Sequence, residues 1–224
     1  MLVFAYDGSL NGDWVAHYAV RFAANTSART LRLVHITDGS ESSIDERLAR
    51  IADESRVLGV VLETELAPRR GANVADRWLE IVPERATLIA GIRARPRNRA
   101  FLAGTVSARL LETGRCSIIA MRVVHPGVLG QPGRVLLPIA GRPQEASLAL
   151  PFLRLLGEDL QRLHVLFVRE VSGLRFRSMS HEGAEKLLAE GRALVAPIED
   201  ELRAGLAPHR FELDSSAATG RAFA

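Results

Sequence analysis

The stretch LVFAYDGSLNGDWVAHYAVRFAANTSARTLRLVHI, Leu2 to Ile36, decides the fold. Leu2 to Tyr6 is a short apolar run closed by Asp7-Gly8-Ser9, which reads as a buried strand and its turn. Val15, Tyr18, Ala19, Phe22 and Ala23 then recur at helical spacing. Leu31 to Ile36 is a second apolar run. Strand, helix, strand with a short turn at the first strand's end is the unit of a parallel sheet.

The same pattern returns at a constant offset between Val135 and Arg169. Val3-Phe4-Ala5 falls on Leu136-Leu137-Pro138, Gly8 on Gly141, Ala16 on Ala149, Arg21 on Arg154 and Leu33 on Leu166. Such self-similarity predicts two domains of one type. HPGVLGQPG, His125 to Gly133, is rich in Gly and Pro and reads as the linker. The boundaries follow: 1–125 for the first domain, 126–133 for the linker and 134–224 for a partial second copy.

Working outward, Ile44, Leu48, Ile51, Ala52 and Ser55 predict a second helix, and Val60 to Leu66 a third strand. Val74, Trp78, Leu79 and Val82 mark a third helix, Thr87 to Ala90 a fourth strand. Val106, Leu110 and Leu111 mark a fourth helix, and Ser117 to Val124 a fifth strand. The expected fold class is α/β, an open parallel five-stranded sheet with helices on both faces. The second copy opens alike, with strands at Val135 to Ile139 and Leu163 to Val168 around a helix bearing Leu148, Phe152, Leu155 and Leu156. A long helical pattern runs through Ala184, Leu187, Leu188, Leu194, Ile198 and Leu202. Pro197 is expected to kink or split it. Phe211 to Leu213 is a candidate third strand.

Composition narrows the classes of function. Of the 224 residues, 47% are apolar, enough for a sizeable core and against overall disorder. No apolar run is long enough for a transmembrane helix, and the N-terminus does not read as a signal peptide. A single cysteine, Cys116, forms no intrachain disulfide, so the expectation is a cytoplasmic protein. The net charge is only +3, carried almost wholly by Arg. That argues against a general nucleic-acid binder and toward a local anion site.

Ligands of open parallel sheets sit beyond the carboxyl ends of the strands. Two features fall there. One is Asp7-Gly8-Ser9. The other is Gly91, followed after two residues by Ala94, and after nine more by Gly104-Thr105-Val106. A Gly at a strand end lets backbone approach a ligand, and Gly-Thr opening a helix presents N–H groups and a hydroxyl suited to phosphate. The bland readings stay open: Asp7 bonding its own turn, a plain helix start at Gly104, and Arg93, Arg95, Arg97 and Arg99 as a solvated loop, a phosphate clamp or a weak nucleic-acid patch. His17, His35, Trp14 and Trp78 read as packing residues.

The order strand, Asp-Gly-Ser, helix, strand ending Val-His-Ile, then this Gly pattern and a last apolar strand resembles the universal stress protein family over residues 1–124. The resemblance implies an adenine-nucleotide alpha-hydrolase-like fold and ATP binding, with Mg²⁺ as a companion. Members that bind ATP carry Gly, two residues, Gly, nine residues, Gly and Ser or Thr. Here Ala94 replaces the second Gly. The resemblance places Ala5 and Ile36 at the adenine and Asp7 near ribose and phosphates. It places Gly91, Arg93 and Ala94 with Gly104, Thr105 and Val106 around the phosphates. It also implies a homodimer or an internal pseudo-dimer and an unknown regulatory protein partner. The expected role is regulatory, with no membrane and no nucleic acid involved. The alternatives are a slow ATP hydrolase or an interaction module that has lost its ligand. In the second copy Asp7 becomes Ala140 and Ser9 becomes Arg142, so no nucleotide site is expected there. No Ser/His/Asp set stands out in the sequence.

Overall fold

The computed structural model describes residues 1–37, 39, 44–69, 73–92, 109–110, 112–125, 129–140, 143–171 and 180–221. The chain divides into two compact units, Met1–Gly130 and Gln131–Ala224. Among the described residues, no helix is long and apolar enough to cross a membrane.

The first unit runs β1 (Leu2–Tyr6), α1 (Leu10–Ala24), β2 (Thr30–Thr37), α2 (Ile44–Val57), β3 (Val61–Pro68), α3 (Val74–Ile81), β4 (Thr87–Gly91) and β5 (Ser117–Met121). Its five strands are all parallel, in the order β3-β2-β1-β4-β5. The expected α/β sheet with helices on both faces is therefore present. Strands β1 and β4 are buried along nearly their whole length because helices cover both sides. Val3, Val34, Ala67, Trp78, Val82, Ala86, Leu88 and Leu110 form one core cluster, to which α3 contributes Trp78. Of the predicted fourth helix, Leu110 is helical and buried; Val106 and Leu111 lie outside the described residues.

The second unit contains β6 (Arg134–Ala140), a 3-10 segment over Pro143–Ala149, α4 (Leu150–Leu156), β7 (Arg162–Val171), α5 (His181–Leu206) and β8 (Glu212–Arg221). Its strands form a parallel three-stranded sheet in the order β6-β7-β8. Three expectations change here. First, the offset between the copies slips by one residue. Phe4 lies opposite Leu33, whereas its counterpart Leu137 lies opposite Val165 rather than Leu166. Burial explains the slip, since Leu33 and Val165 are both core residues and Leu166 is not. Second, α5 is not split at Pro197. Pro197 and Ala193 are exposed, so the carbonyl that loses its helical partner faces water. The stripe Leu187, Gly191, Val195, Ile198, Leu202 and Leu206 is buried on the other side. Third, the last strand is far longer than Phe211 to Leu213. It takes in the polar run Asp214-Ser215-Ser216, which pairs residue by residue with β7.

Candidate functional site

Strand order reverses between β1 and β4. β1 pairs with β2 on one side and β4 on the other, and the chain leaves these neighbours toward opposite faces. At that point the carboxyl ends of β1 and β4 lie side by side, Ala5 level with Ala90. The loop Asp7-Gly8-Ser9 follows one strand and Gly91 closes the other.

The loop owes its form to three residues. Gly8 has φ +68, the left-handed region, which lets the chain turn from strand into helix without strain. Ser9 caps α1, its hydroxyl accepting from Gly12 N–H at 3.1 Å. Asp7 Oδ1 in turn accepts from Ser9 N–H at 3.0 Å and from Ser9 Oγ at 2.5 Å. Asp7 is exposed, and its carboxylate sits beside the N-terminus of α1.

Gly91 is the matching feature on β4. A Cβ built on it would stand 2.8 Å from Asn11 Nδ2 and 3.7 Å from Val15 Cγ2. The first turn of α1 thus lies against bare β4 backbone, with the Asn11 amide next to it. Ala5 and Ile36 are half-buried and pack together against the core cluster that contains Trp78. Of the nine predicted site residues, Ala5, Asp7, Ile36 and Gly91 fall at the carboxyl ends of β1, β2 and β4. Arg93, Ala94, Gly104, Thr105 and Val106 lie outside the described residues.

Beneath the loop is a polar group that sequence reading passed over. Tyr6 Oη donates to Asp13 Oδ1 at 2.5 Å, and Arg47 from α2 binds Asp13 Oδ2. Burial, then the hydrogen bond and the charge of Asp13, raise the Tyr6 hydroxyl well above its ordinary value. His35 is buried, with Nδ1 2.9 Å from the Tyr6 carbonyl oxygen. It braces the β1 terminus, and its Cε1 stands under Gly8. Trp78 is buried in the core, as a packing residue should be. Among the described residues, no group of three or more His, Cys, Asp or Glu side chains is placed to hold a metal ion.

The first unit is thus an open parallel α/β sheet whose strand order reverses between β1 and β4, the point at which sheets of this class hold ligands when they bind them. No protein-family model and no curated protein matches the chain. Solved structures similar to it include two universal stress proteins. One is a universal stress protein in complex with cAMP, at 18% identity, with 54% of this chain and 94% of that chain covered and a TM-score of 0.42. The other is a universal stress protein from Archaeoglobus fulgidus DSM 4304, at 16% identity, with 96% of this chain and 77% of that chain covered and a TM-score of 0.51. The fold of this chain is that of the universal stress proteins.

Proposed function

We propose that the first unit is a regulatory module of the stress-response type that binds an adenine nucleotide, ATP with Mg²⁺, in the crevice between β1 and β4. One observation carries this reading. Side-chain-free backbone at Gly91 faces the capped N-terminus of α1 across the point where strand order reverses. A phosphate at this place would meet the Asn11 amide, which stands over Gly91, and the positive end of α1.

In this reading Ala5 and Ile36 receive the adenine, and Asp7 binds the ribose or a phosphate-bound Mg²⁺. Gly91, Arg93, Ala94, Gly104, Thr105 and Val106 surround the phosphates. Binding alone is enough to alter contacts with a regulatory partner, and no reaction is required. The second unit serves as a structural or dimerisation partner, within the chain or between two copies. The setting is the cytoplasm.

A second reading has its own support. Asp7 is engaged by Ser9, and Asn11 occupies the space over Gly91. A crevice filled by its own side chains suits an interaction module without a ligand.

Thermal unfolding with and without ATP and Mg²⁺ separates the two. A ligand at 100 times its dissociation constant stabilises its domain by about 2.7 kcal/mol. The nucleotide reading predicts a clear upward shift that Gly104→Asp removes and Ala94→Gly preserves or enlarges. No shift in any variant, with no nucleotide extracted from the purified protein, overturns it. Phosphate release measured beside the melts distinguishes slow hydrolysis from binding.

A further inference from the structure

The second unit brings together three side chains that are far apart in sequence. His164 on β7 lies directly opposite Asp214 on β8, and Ser216 is two residues further along the same face. The His164 ring bridges the other two: Nδ1 meets Asp214 Oδ1, and Nε2 stands 2.8 Å from Ser216 Oγ. With Nδ1–H donating to the carboxylate, Nε2 is left as the acceptor for the Ser216 hydroxyl. That is the connectivity by which a serine is made nucleophilic: acid, imidazole, hydroxyl, in that order.

A plain cross-strand polar pair does not need the third member. The first unit shows the plain form, where Arg32 on β2 simply binds Glu65 on β3. Two further observations favour chemistry over pairing. The face is open: Phe167 and Ala217 turn toward α5, so by alternation His164 and Ser216 turn away from it. On that outer face Leu136, opposite His164, is 58% exposed. Moreover, β8 pairs only with β7 among the described residues. Glu212 N–H bonds to Gln161 O, so alternation along the unbroken register turns the N–H groups of Ser215 and Ala217 to the unpaired edge. The Ala217 N–H, next in sequence to Ser216, is then available to an oxyanion.

We propose that Ser216, His164 and Asp214 form an esterase-type acyl-transfer site on the open face of the second unit. The substrates are esters with a small acyl group and a good leaving group. The exposed Leu136, with the half-buried Leu166 beside it, accepts a short acyl chain, not a long one. Ser216 Oγ attacks the carbonyl carbon while its proton passes to His164 Nε2. The bond to the leaving group breaks, and that oxygen takes the proton from His164. Water then attacks the acyl-serine with His164 again as base, releasing the acid and restoring Ser216. Asp214 is a positioning residue that holds the ring.

A biotinylated fluorophosphonate is the direct probe, since attack by Ser216 displaces fluoride and leaves a stable adduct. The full-length protein is treated, digested and analysed by mass spectrometry, beside turnover of p-nitrophenyl acetate. The expected result is an adduct on Ser216, absent in Ser216→Ala, and turnover reduced about a hundredfold or more in Ser216→Ala and His164→Gln. Asp214→Asn should lower kcat and leave KM unchanged. Ser216→Ala is the deciding variant, because it removes one oxygen and cannot unseat the strand; far-UV circular dichroism checks the other two. An unlabelled Ser216, or turnover in Ser216→Ala equal to the parent's, overturns the proposal.

Discussion

Gly191→Ala tests the second unit where its helix and sheet come closest. Gly191 is buried in α5, and a Cβ built there would lie 2.9 Å from Ala217 Cβ and 3.2 Å from Phe167 Cδ1. In an isolated helix this change stabilises by about 1 kcal/mol, because Ala loses less backbone entropy. Here the added methyl meets a carbon fixed to a β-ladder. Carbon atoms prefer about 3.5–4.0 Å, so α5 must retreat by much of an ångström over the face that buries Val195 and Ile198. Overpacking of this kind costs about 1–3 kcal/mol, which outweighs the propensity gain. The expected net effect is a loss of about 1 kcal/mol in the second unit. Ala217→Gly should relieve the clash, so the double variant should show a favourable coupling of about 1 kcal/mol. The unit holds neither Trp nor Tyr, so the suitable assay is native-state hydrogen exchange on peptides from β7 and β8. Stabilisation by Gly191→Ala, or no coupling to residue 217, refutes the reasoning. It would also remove the parity that turns Ser216 to the open face.

Ser9→Ala removes the α1 cap and one of the contacts of Asp7. It should cost about 1 kcal/mol, read as a lower midpoint in urea followed by Trp fluorescence. Tyr6 supplies a pH signature. Its hydroxyl is raised above 10.0 in the folded state, first by burial and then by Asp13. The unfolded chain ionises there first, so stability is intact below about pH 10 and drains as pH rises beyond it. Melting temperatures taken through that range should fall more steeply for the parent than for Tyr6→Phe. Equal slopes would contradict the assignment.

The sheet is legible because β1 and β4 are short apolar runs, mostly buried, β2 carries Leu31, Leu33 and Val34 into the core, and Asp7-Gly8-Ser9 marks the turn by residue type alone. What stayed hidden depends on register. Asp214-Ser215-Ser216 lacks the apolar signature of a strand, because β8 forms one ladder among the described residues and has a side turned away from α5. His164 gains its partners only when β7 and β8 align, and no spacing in the sequence encodes that. Pro197 suggested a break because sequence shows the missing N–H and not the solvent that satisfies the carbonyl. Asn11 is ordinary in a helix, and only the crossing of α1 over Gly91 gives it a place beside the crevice. The slip between Leu33 and Val165 arises because alternation fixes which side a residue faces, while a constant offset counts residues only.

The central claim is that an adenine nucleotide occupies the crevice between β1 and β4. Titrating the ¹⁵N-labelled protein with ATP and Mg²⁺ and mapping amide shifts tests it most directly. The account predicts saturable shifts at Gly8, Ser9, Asn11, Gly91 and Ile92, abolished by Gly104→Asp, with the second unit unmoved. Unchanged spectra at millimolar ATP, or shifts confined to β6, β7 and β8, would contradict it.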